Sequence, residues 1–590
     1  MDQQKRLLLT IVLSTAVMFL WMQFFSPPPK RPAAAEAGLA QVVDAAVKAT
    51  DAAVASEKSA QPPAEAPAAP VKRPEQRIQW STPAQELEFT NLGGGLSKAI
   101  VRGADSMPGY KFEQRPKGKD KKEEPVDLAR VRDGQPVPGA SEISGELSLG
   151  LDATYDAVKT DKGVVFTGGN GQLGVEKSFE VNPKGYDLRA RYSVTNRSGE
   201  PKKLKLAVVY PAWLDPKHVE KGSFFAPPPE QSEVVARVGK SVERLGLGDK
   251  KKSESFDEEP VSFVGFDQRY FLGALFPSSG EGTSAALATN PDGEFLARLE
   301  LDLGTVAPGQ TVSRDLGFYL GPKSLGVLEK VSTAAATGAG LVSLDKELSA
   351  GASVSALDPR LDEAINFGWW AAICRPLLWV MKSFQGLVSN WGLAIILLTV
   401  VVKLLLYPLS HKQMESMEAM RRLQPQMNEL AKKYENDKEK LNLERMRLFQ
   451  ENKVNPFGGC LPLLVQMPVW FALYTTLQNS FELYREPLLS PWILDLTRPD
   501  PFFILPLAMG VTMFITQKMQ PQMGDPTQAK VMLYFMPIFF TFIMLNLPAG
   551  LTLYIFTNNL LSIAQQKWLQ RKFKVKHGPA PSGLAGAAGK

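Results

Sequence analysis

Apolar positions are spread unevenly along the chain, and their spacing changes character twice. Leu7–Phe25 is a continuous apolar run preceded by Lys5 and Arg6. From Pro27 to about Arg73 the chain is rich in Ala and Pro and almost without large apolar residues, so it cannot bury a core and reads as a tether. From about 76 to 345 the apolar runs are short. Asp187–Val194 alternates apolar and polar positions, which predicts a half-buried antiparallel strand. Leu87–Phe89, Gly163–Thr167, Tyr186–Val194, Leu204–Tyr210, Ser262–Phe276 and Phe295–Leu303 predict further strands, and strands at this spacing predict a β-sandwich. Beyond 358 the pattern turns helical. Trp391–Pro408, Cys460–Leu477, Phe502–Thr516, Val531–Leu547 and Leu551–Ala564 are long apolar runs of the kind that cross a bilayer, although several are shorter than the ~20 residues a full span needs.

The fold class this predicts is a polytopic α-helical membrane protein carrying a large all-β domain. The predicted segments are an anchor (1–25), a linker (26–75), the β domain (76–345) and an amphipathic helix (358–388). Spans follow at 389–408, 459–479, 502–517, 531–547 and 551–566, for six in all. A charged helical hairpin (409–458), loops at 480–501 and 518–530 and a basic tail (567–590) connect and close them. Leu7–Phe25 is longer than a signal-peptide core, and Ser26-Pro27-Pro28-Pro29 is a poor cleavage site, which favours a retained anchor; Ala33-Ala34-Ala35 keeps cleavage open. Asp358-Pro359 predicts a helix start. Trp369-Trp370 suits a headgroup-level position, the alternative being an amphipathic helix packed on the β domain. Lys5/Arg6, the cation-rich hairpin and the tail cations Lys567, Arg571 and Lys572 place both termini in the cytoplasm and the β domain across the membrane.

A formal net charge of +6 is small for 590 residues and does not argue for nucleic acid. Two cysteines (Cys374, Cys460) leave the β domain without a disulfide framework, and three scattered histidines make no metal site. Walker A, HExxH and GxSxG motifs are missing from the sequence, which disfavours an ATPase, a zinc protease and an esterase. No catalytic residue, metal or cofactor is expected.

The polar residues inside the apolar runs carry the chemistry. Lys403 is a cation inside Trp391–Pro408, and Thr399, four residues earlier, shares its helical face. Lys403 lies near the run's end, so its side chain has the alternative of snorkelling to the headgroups. Other polar residues in or beside the runs include Gln466, Gln478 and Asn558, and no acidic residue lies within the spans to neutralise Lys403. Facing one another across a wet cavity these groups cost little; facing lipid they cost much. On the hairpin, Met414, Met417, Met420, Leu423, Met427 and Leu430 fall on one face, either as a flexible surface for apolar partners or as the hairpin's own small core.

The motifs Asn390-Trp391-Gly392 with Tyr407-Pro408-Leu409, Arg421–Pro425 (RRLQP), Lys453–Pro468 (KVNPFGGCLPLLVQMP), Ile504–Met519 and the Pro548-Ala549-Gly550-Leu551 turn with Tyr554 and Asn558-Asn559 together resemble the YidC/Oxa/Alb family of membrane insertases, in its Gram-negative form. The resemblance covers essentially the whole chain. It implies a periplasmic β-supersandwich and a five-helix core in the inner membrane, enclosing a hydrophilic groove with one positive charge. That groove would be lined by Lys403, Thr399, Gln466, Tyr554 and Asn558, with a capture hairpin bearing Met414, Met417, Met420 and Met427. It further implies insertion and folding of nascent integral membrane proteins, alone or with the Sec translocon. The other implied partners are membrane lipids and, through the tail and hairpin, the ribosome, with no small-molecule substrate and no enzyme activity. The family's groove cation is usually arginine where this chain has Lys403, and often shows two aromatics where it has Tyr554-Ile555. Two other classes compete: a small-solute transporter, disfavoured because no internal repeat is detectable, and a membrane-anchored scaffold working through its β domain.

Overall fold

A computed structural model describes residues 74–337 and 358–577 apart from 104–111, 115–123, 217–231, 248, 250–251, 435–436, 453, 455–460 and 521–530. The expected anchor (1–25), the expected linker (26–75) except Pro74 and Glu75, most of the 518–530 loop and the tail beyond His577 lie outside the described residues.

Two large antiparallel sheets form the β domain. The nine-stranded sheet runs Ser241–Gly246, Ser232–Val238, Val261–Gln268, Phe271–Pro277, Thr311–Pro322, Asp187–Asn196, Leu173–Val181, Gly163–Gly169 and Asp156–Lys159. The five-stranded sheet runs Ser253–Phe256, Thr283–Thr289, Glu294–Val306, Lys202–Trp213 and Ser141–Gly145. Alternation does what the sequence predicts: Leu188, Ala190, Tyr192 and Val194 are buried while the residues between them are half-exposed. Side chains of the two sheets meet in one core, with the Phe266 and Phe295 rings 5.0 Å apart. Gly273 is required by that approach, because a Cβ there would sit 1.8 Å from the Tyr210 hydroxyl. Ser262–Phe276, expected as one strand, is instead a hairpin whose arms pair Val264 with Leu275. Its Arg269-Tyr270 turn contains no Gly, Pro or Asn to mark it in the sequence. The all-β expectation also needs correction at the end of the domain, which closes with helix α1 (Leu325–Thr337).

Lys177 is fully buried in this core. Its ammonium donates to the carbonyls of Gly93 and Gly94 and lies 4.4 Å from the Tyr155 ring centroid. Burial holds its pKa well below the ordinary lysine value. The unfolded chain therefore binds a proton that the folded lysine binds less readily, and the domain loses stability as pH falls from the ordinary lysine range toward the folded value. Urea midpoints of the full-length protein and of Lys177→Met, compared between neutral pH and about pH 10, check this. The wild-type midpoint gains on the variant's as pH rises; parallel pH slopes would contradict it.

The segment after α1 was expected to begin a helix at Asp358. Instead the Asp358 carboxylate accepts from the Arg360 amide at 2.9 Å, and Arg360 adopts a left-handed conformation (φ 49°) that interrupts the helix. The chain is first spent on the β domain, where Arg237 Nε donates to Glu363 at 2.6 Å and Arg244 donates to the Ala364 carbonyl at 2.7 Å. Helix α2 begins only at Ala371 and runs to Val388. Its buried face (Cys374, Leu377, Leu378, Met381) turns toward the other helices, the Cys374 thiol donating to the Ala472 carbonyl at 3.3 Å, while Trp379 and Leu387 are exposed.

The remaining helices are α3 (Trp391–Leu405), α4 (Tyr407–Arg422), α5 (Gln424–Lys433), α6 (Lys438–Glu451), α7 (Leu461–Asn479), α8 (Ile504–Met519), α9 (Met536–Met544, entered through a π-helical turn at Val531–Phe535) and α10 (Ala549–His577). Among the described residues no single helix is long and apolar enough to cross a membrane; α3 and α4 pass that test together across a 66° bend. The hairpin's first arm, expected as one helix, is two, because Pro425 in the first turn of α5 cannot continue α4. Asp437 caps α6, accepting from the Lys440 amide at 3.0 Å.

Glu482, in the 480–501 loop, joins the β domain to the helices. Its carboxylate accepts from the Leu325 amide (3.0 Å) and the Ser324 hydroxyl (3.2 Å) at the start of α1, and pairs with Lys382 of α2 at 2.7 Å. Beside it the Tyr270 and Tyr484 rings stack at 4.1 Å, and Phe481 packs against Phe112 and Phe271.

Candidate functional site

The Asn390-Trp391-Gly392 motif fixes the start of α3. Asn390 caps the helix by accepting from the Leu393 amide at 2.9 Å and donates to the Leu488 carbonyl at 3.1 Å. Gly392 lets the 480–501 loop lie against the helix, since a Cβ there would be 2.1 Å from Leu488 Cδ1. At the opposite end of the helix lies Lys403, two residues before the last residue of α3. Its ammonium does not run along the axis to the helix end; it turns sideways to α10, donating to Ser562 Oγ at 2.7 Å and Asn558 Oδ1 at 3.3 Å.

Helix α10 is the shared wall of the site. Tyr554, Asn558, Ser562 and Gln566 recur every four residues and so form one slowly winding stripe. Between them they meet three neighbouring helices. Gln466 of α7 donates to the Tyr554 hydroxyl, Asn558 and Ser562 accept from Lys403 of α3, and Gln566 donates to the Met519 carbonyl at the end of α8 at 3.0 Å. Lys403, Gln466, Asn558 and Ser562 are half-buried, and Tyr554 is buried. Among the described residues no carboxylate lies within ion-pair distance of Lys403, and α3, α7, α8, α9 and α10 contain no Asp or Glu.

Of the expected site residues, Lys403 and Asn558 come together, as do Gln466 and Tyr554. Thr399 does not join them: it is buried, and its hydroxyl donates to the Ile395 carbonyl of its own helix at 2.7 Å. Gln478 is at the other end of α7, about 18 Å along the axis from Gln466. Ser562 was missed, because a lone serine in an apolar stretch gives no signal until its partner is known. Gln566 was missed because the apolar run had ended.

The methionine stripe divides. Met420 and Met427 are buried with Leu423 and Phe449 in the hairpin's own core. Met414 and Met417 are half-buried and line a small cleft with Met519, Gln566 and Leu569, where the hairpin meets the ends of α8 and α10. The core alternative thus holds for Met420 and Met427, while Met414 and Met417 pack toward α8 and α10.

The profile of the family described as 60Kd inner membrane protein matches residues 383–577, and that of the YidC periplasmic domain matches residues 116–380. A membrane protein insertase YidC of Anaeromyxobacter sp. (strain Fw109-5) is 40% identical over 87% of this chain and 88% of its own length. Those of Syntrophus aciditrophicus and Geobacter metallireducens are 33% and 32% identical, each over 96% of this chain and over 99% and 98% of their own lengths. Among solved structures, an active YidC insertase crystal structure with its first transmembrane domain resolved aligns at a TM-score of 0.36 and 19% identity, covering 84% of this chain and 93% of that one. A putative aldose 1-epimerase from Escherichia coli K12 aligns at a TM-score of 0.26 and 12% identity over 42% of this chain and 99% of its own. With the relatives matched along nearly their whole length, the chain belongs to the YidC family of membrane protein insertases, inner membrane proteins, and its sheet domain is that family's periplasmic domain.

Proposed function

We propose that this chain inserts nascent membrane proteins by offering them the polar face of α10, with Lys403 as the single charge that attracts an acidic outward tail. The observation that carries this reading is a lysine held among uncharged acceptors, with no carboxylate in ion-pair distance among the described residues. A buried ion pair is self-satisfied, whereas a lone cation seeks an anion. The Gln466–Tyr554 and Lys403–Asn558–Ser562 contacts form a ladder along which a polar tail exchanges hydrogen bonds in place of losing them to lipid. The shortness of α3, about 22 Å against a hydrocarbon core of about 30 Å, favours a locally thinned bilayer and a shorter path for that tail. Met414 and Met417, at the cleft beside α10, suit first contact with an emerging apolar segment. The topology that goes with this reading has six spans and both termini in the cytoplasm. The client then leaves sideways past exposed apolar residues such as Leu404 and Leu560 into lipid. No covalent bond is made or broken.

Photo-crosslinking to a stalled single-span client tests the site. Probes replacing Tyr554 and Asn558, which leave the Lys403 charge in place, capture the client, and a probe at the exposed Val158 of the β domain does not. Crosslinks confined to Val158 would move the function to the β domain and favour the scaffold reading.

A further inference from the structure

Lys403 is bound by two acceptors of one helix, and the chemistry of the second fixes what the lysine does. Ser562 Oγ donates its only proton to the Asn558 backbone carbonyl at 2.7 Å, the helix back-bond of a serine four residues on. A hydroxyl whose proton is spent this way offers only lone pairs to a third group. Toward Lys403 Nζ, 2.7 Å away, Ser562 is therefore an obligate acceptor. Asn558 Oδ1, one turn earlier at 3.3 Å, is an acceptor by its nature. An ammonium has three N–H donors. Two go to α10; among the described residues nothing takes the third, which is left for an incoming oxygen.

The length of the lysine side chain gives this arrangement its significance. Lys403 is two residues from the end of α3, where the chain bends by 66° into α4. A flexible four-carbon stem at that position has the headgroup level within reach. Arginine would present a rigid five-donor fork and hold its direction by itself; lysine is a rotatable point charge and needs an external anchor.

We propose that Ser562 is a positioning residue for Lys403, holding the ammonium against α10 so that one donor faces the client's acidic tail. The inference rests on the groove reading above and deepens it, by naming what keeps this chain's lysine at its post. It also sets the specificity: one open donor reads one oxygen of a client carboxylate, without the paired geometry of an arginine fork.

The test uses full-length protein in proteoliposomes, with a single-span client whose outward tail carries two aspartates and a matched client carrying two asparagines. Ser562→Ala lowers insertion of the aspartate client about tenfold, the factor a single charge-assisted hydrogen bond commands. It leaves the asparagine client unchanged, and Ser562→Thr, which keeps the back-bonded hydroxyl, restores the aspartate client. A second readout follows the lysine itself: labelling of the Lys403 amine by an acylating reagent, read by mass spectrometry, rises in Ser562→Ala and returns to the wild-type rate in Ser562→Thr. Wild-type insertion of the aspartate client by Ser562→Ala, alongside loss in Lys403→Gln, overturns the positioning role and leaves the groove reading standing. Wild-type insertion by Lys403→Gln overturns the groove reading and this inference with it. Equal loss of both clients in Ser562→Ala with unchanged amine labelling reduces Ser562 to a packing residue, and also overturns the proposal.

Discussion

Lys403→Glu abolishes insertion of single-span clients with acidic outward tails, while Lys403→Arg retains it. Two unit charges about 4 Å apart at an effective dielectric of about 20 interact by about 4 kcal/mol, so reversing one charge swings the interaction by up to roughly twice that. Even a third of that swing, about 3 kcal/mol, lowers a rate by more than about 100-fold. The surroundings make the effect larger than on a surface. Asn558 and Ser562 offer Lys403 only oxygens, so a glutamate there meets lone pairs where the ammonium met acceptors. Arginine keeps the charge and finds the same acceptors. Insertion assayed by protease protection of the tail is the measurement; normal insertion by Lys403→Glu would remove the charge from the mechanism.

The second large effect is expected far from Lys403, at the seam between the β domain and the helices. Glu482→Lys places an ammonium where Lys382 already sits, opposite the amide of Leu325 and the hydroxyl of Ser324. Glu482 is buried but Lys382 is about a third exposed, so solvent screening brings the cost below that of a fully buried pair, about 3–5 kcal/mol, and the like charge adds repulsion to the lost hydrogen bonds. The stacked Tyr270 and Tyr484 lie at the same seam. The thermal unfolding midpoint of the full-length protein falls in Glu482→Lys, and by less in Glu482→Gln, which keeps an acceptor for the Leu325 amide and the Ser324 hydroxyl. An unchanged midpoint in Glu482→Lys would show that the carboxylate does not hold the seam.

How far these features were visible in the sequence depends on what each residue must do alone. Lys403 was legible because a charge in an apolar run is anomalous by itself. Ser562 was not, because its role exists only through a partner 159 residues away. Thr399 was placed on the right face by helical periodicity, but periodicity does not tell a groove wall from a buried back-bonded hydroxyl. The strands were read well where alternation was regular, as in Asp187–Asn196, and misjudged in Ser262–Phe276, where both arms of the hairpin are buried and alternation vanishes. The last apolar run ended at Ala564, yet α10 continues to His577. Hydropathy marks where lipid contact stops, and Gln, Lys, Leu and Arg carry a helix onward regardless. Glu482 looked like one of several acids in a loop; its importance comes from Ser324, Leu325 and Lys382 converging on it from distant segments.

The central claim is that insertion is selected by the sign of one charge beside α10. The most direct test is a reciprocal swap in proteoliposomes without a membrane potential: wild type and Lys403→Glu, each with a client bearing an aspartate tail and its twin bearing a lysine tail. The account predicts that preference reverses, wild type favouring the aspartate client and Lys403→Glu the lysine client. Identical preference in the two proteins would contradict it.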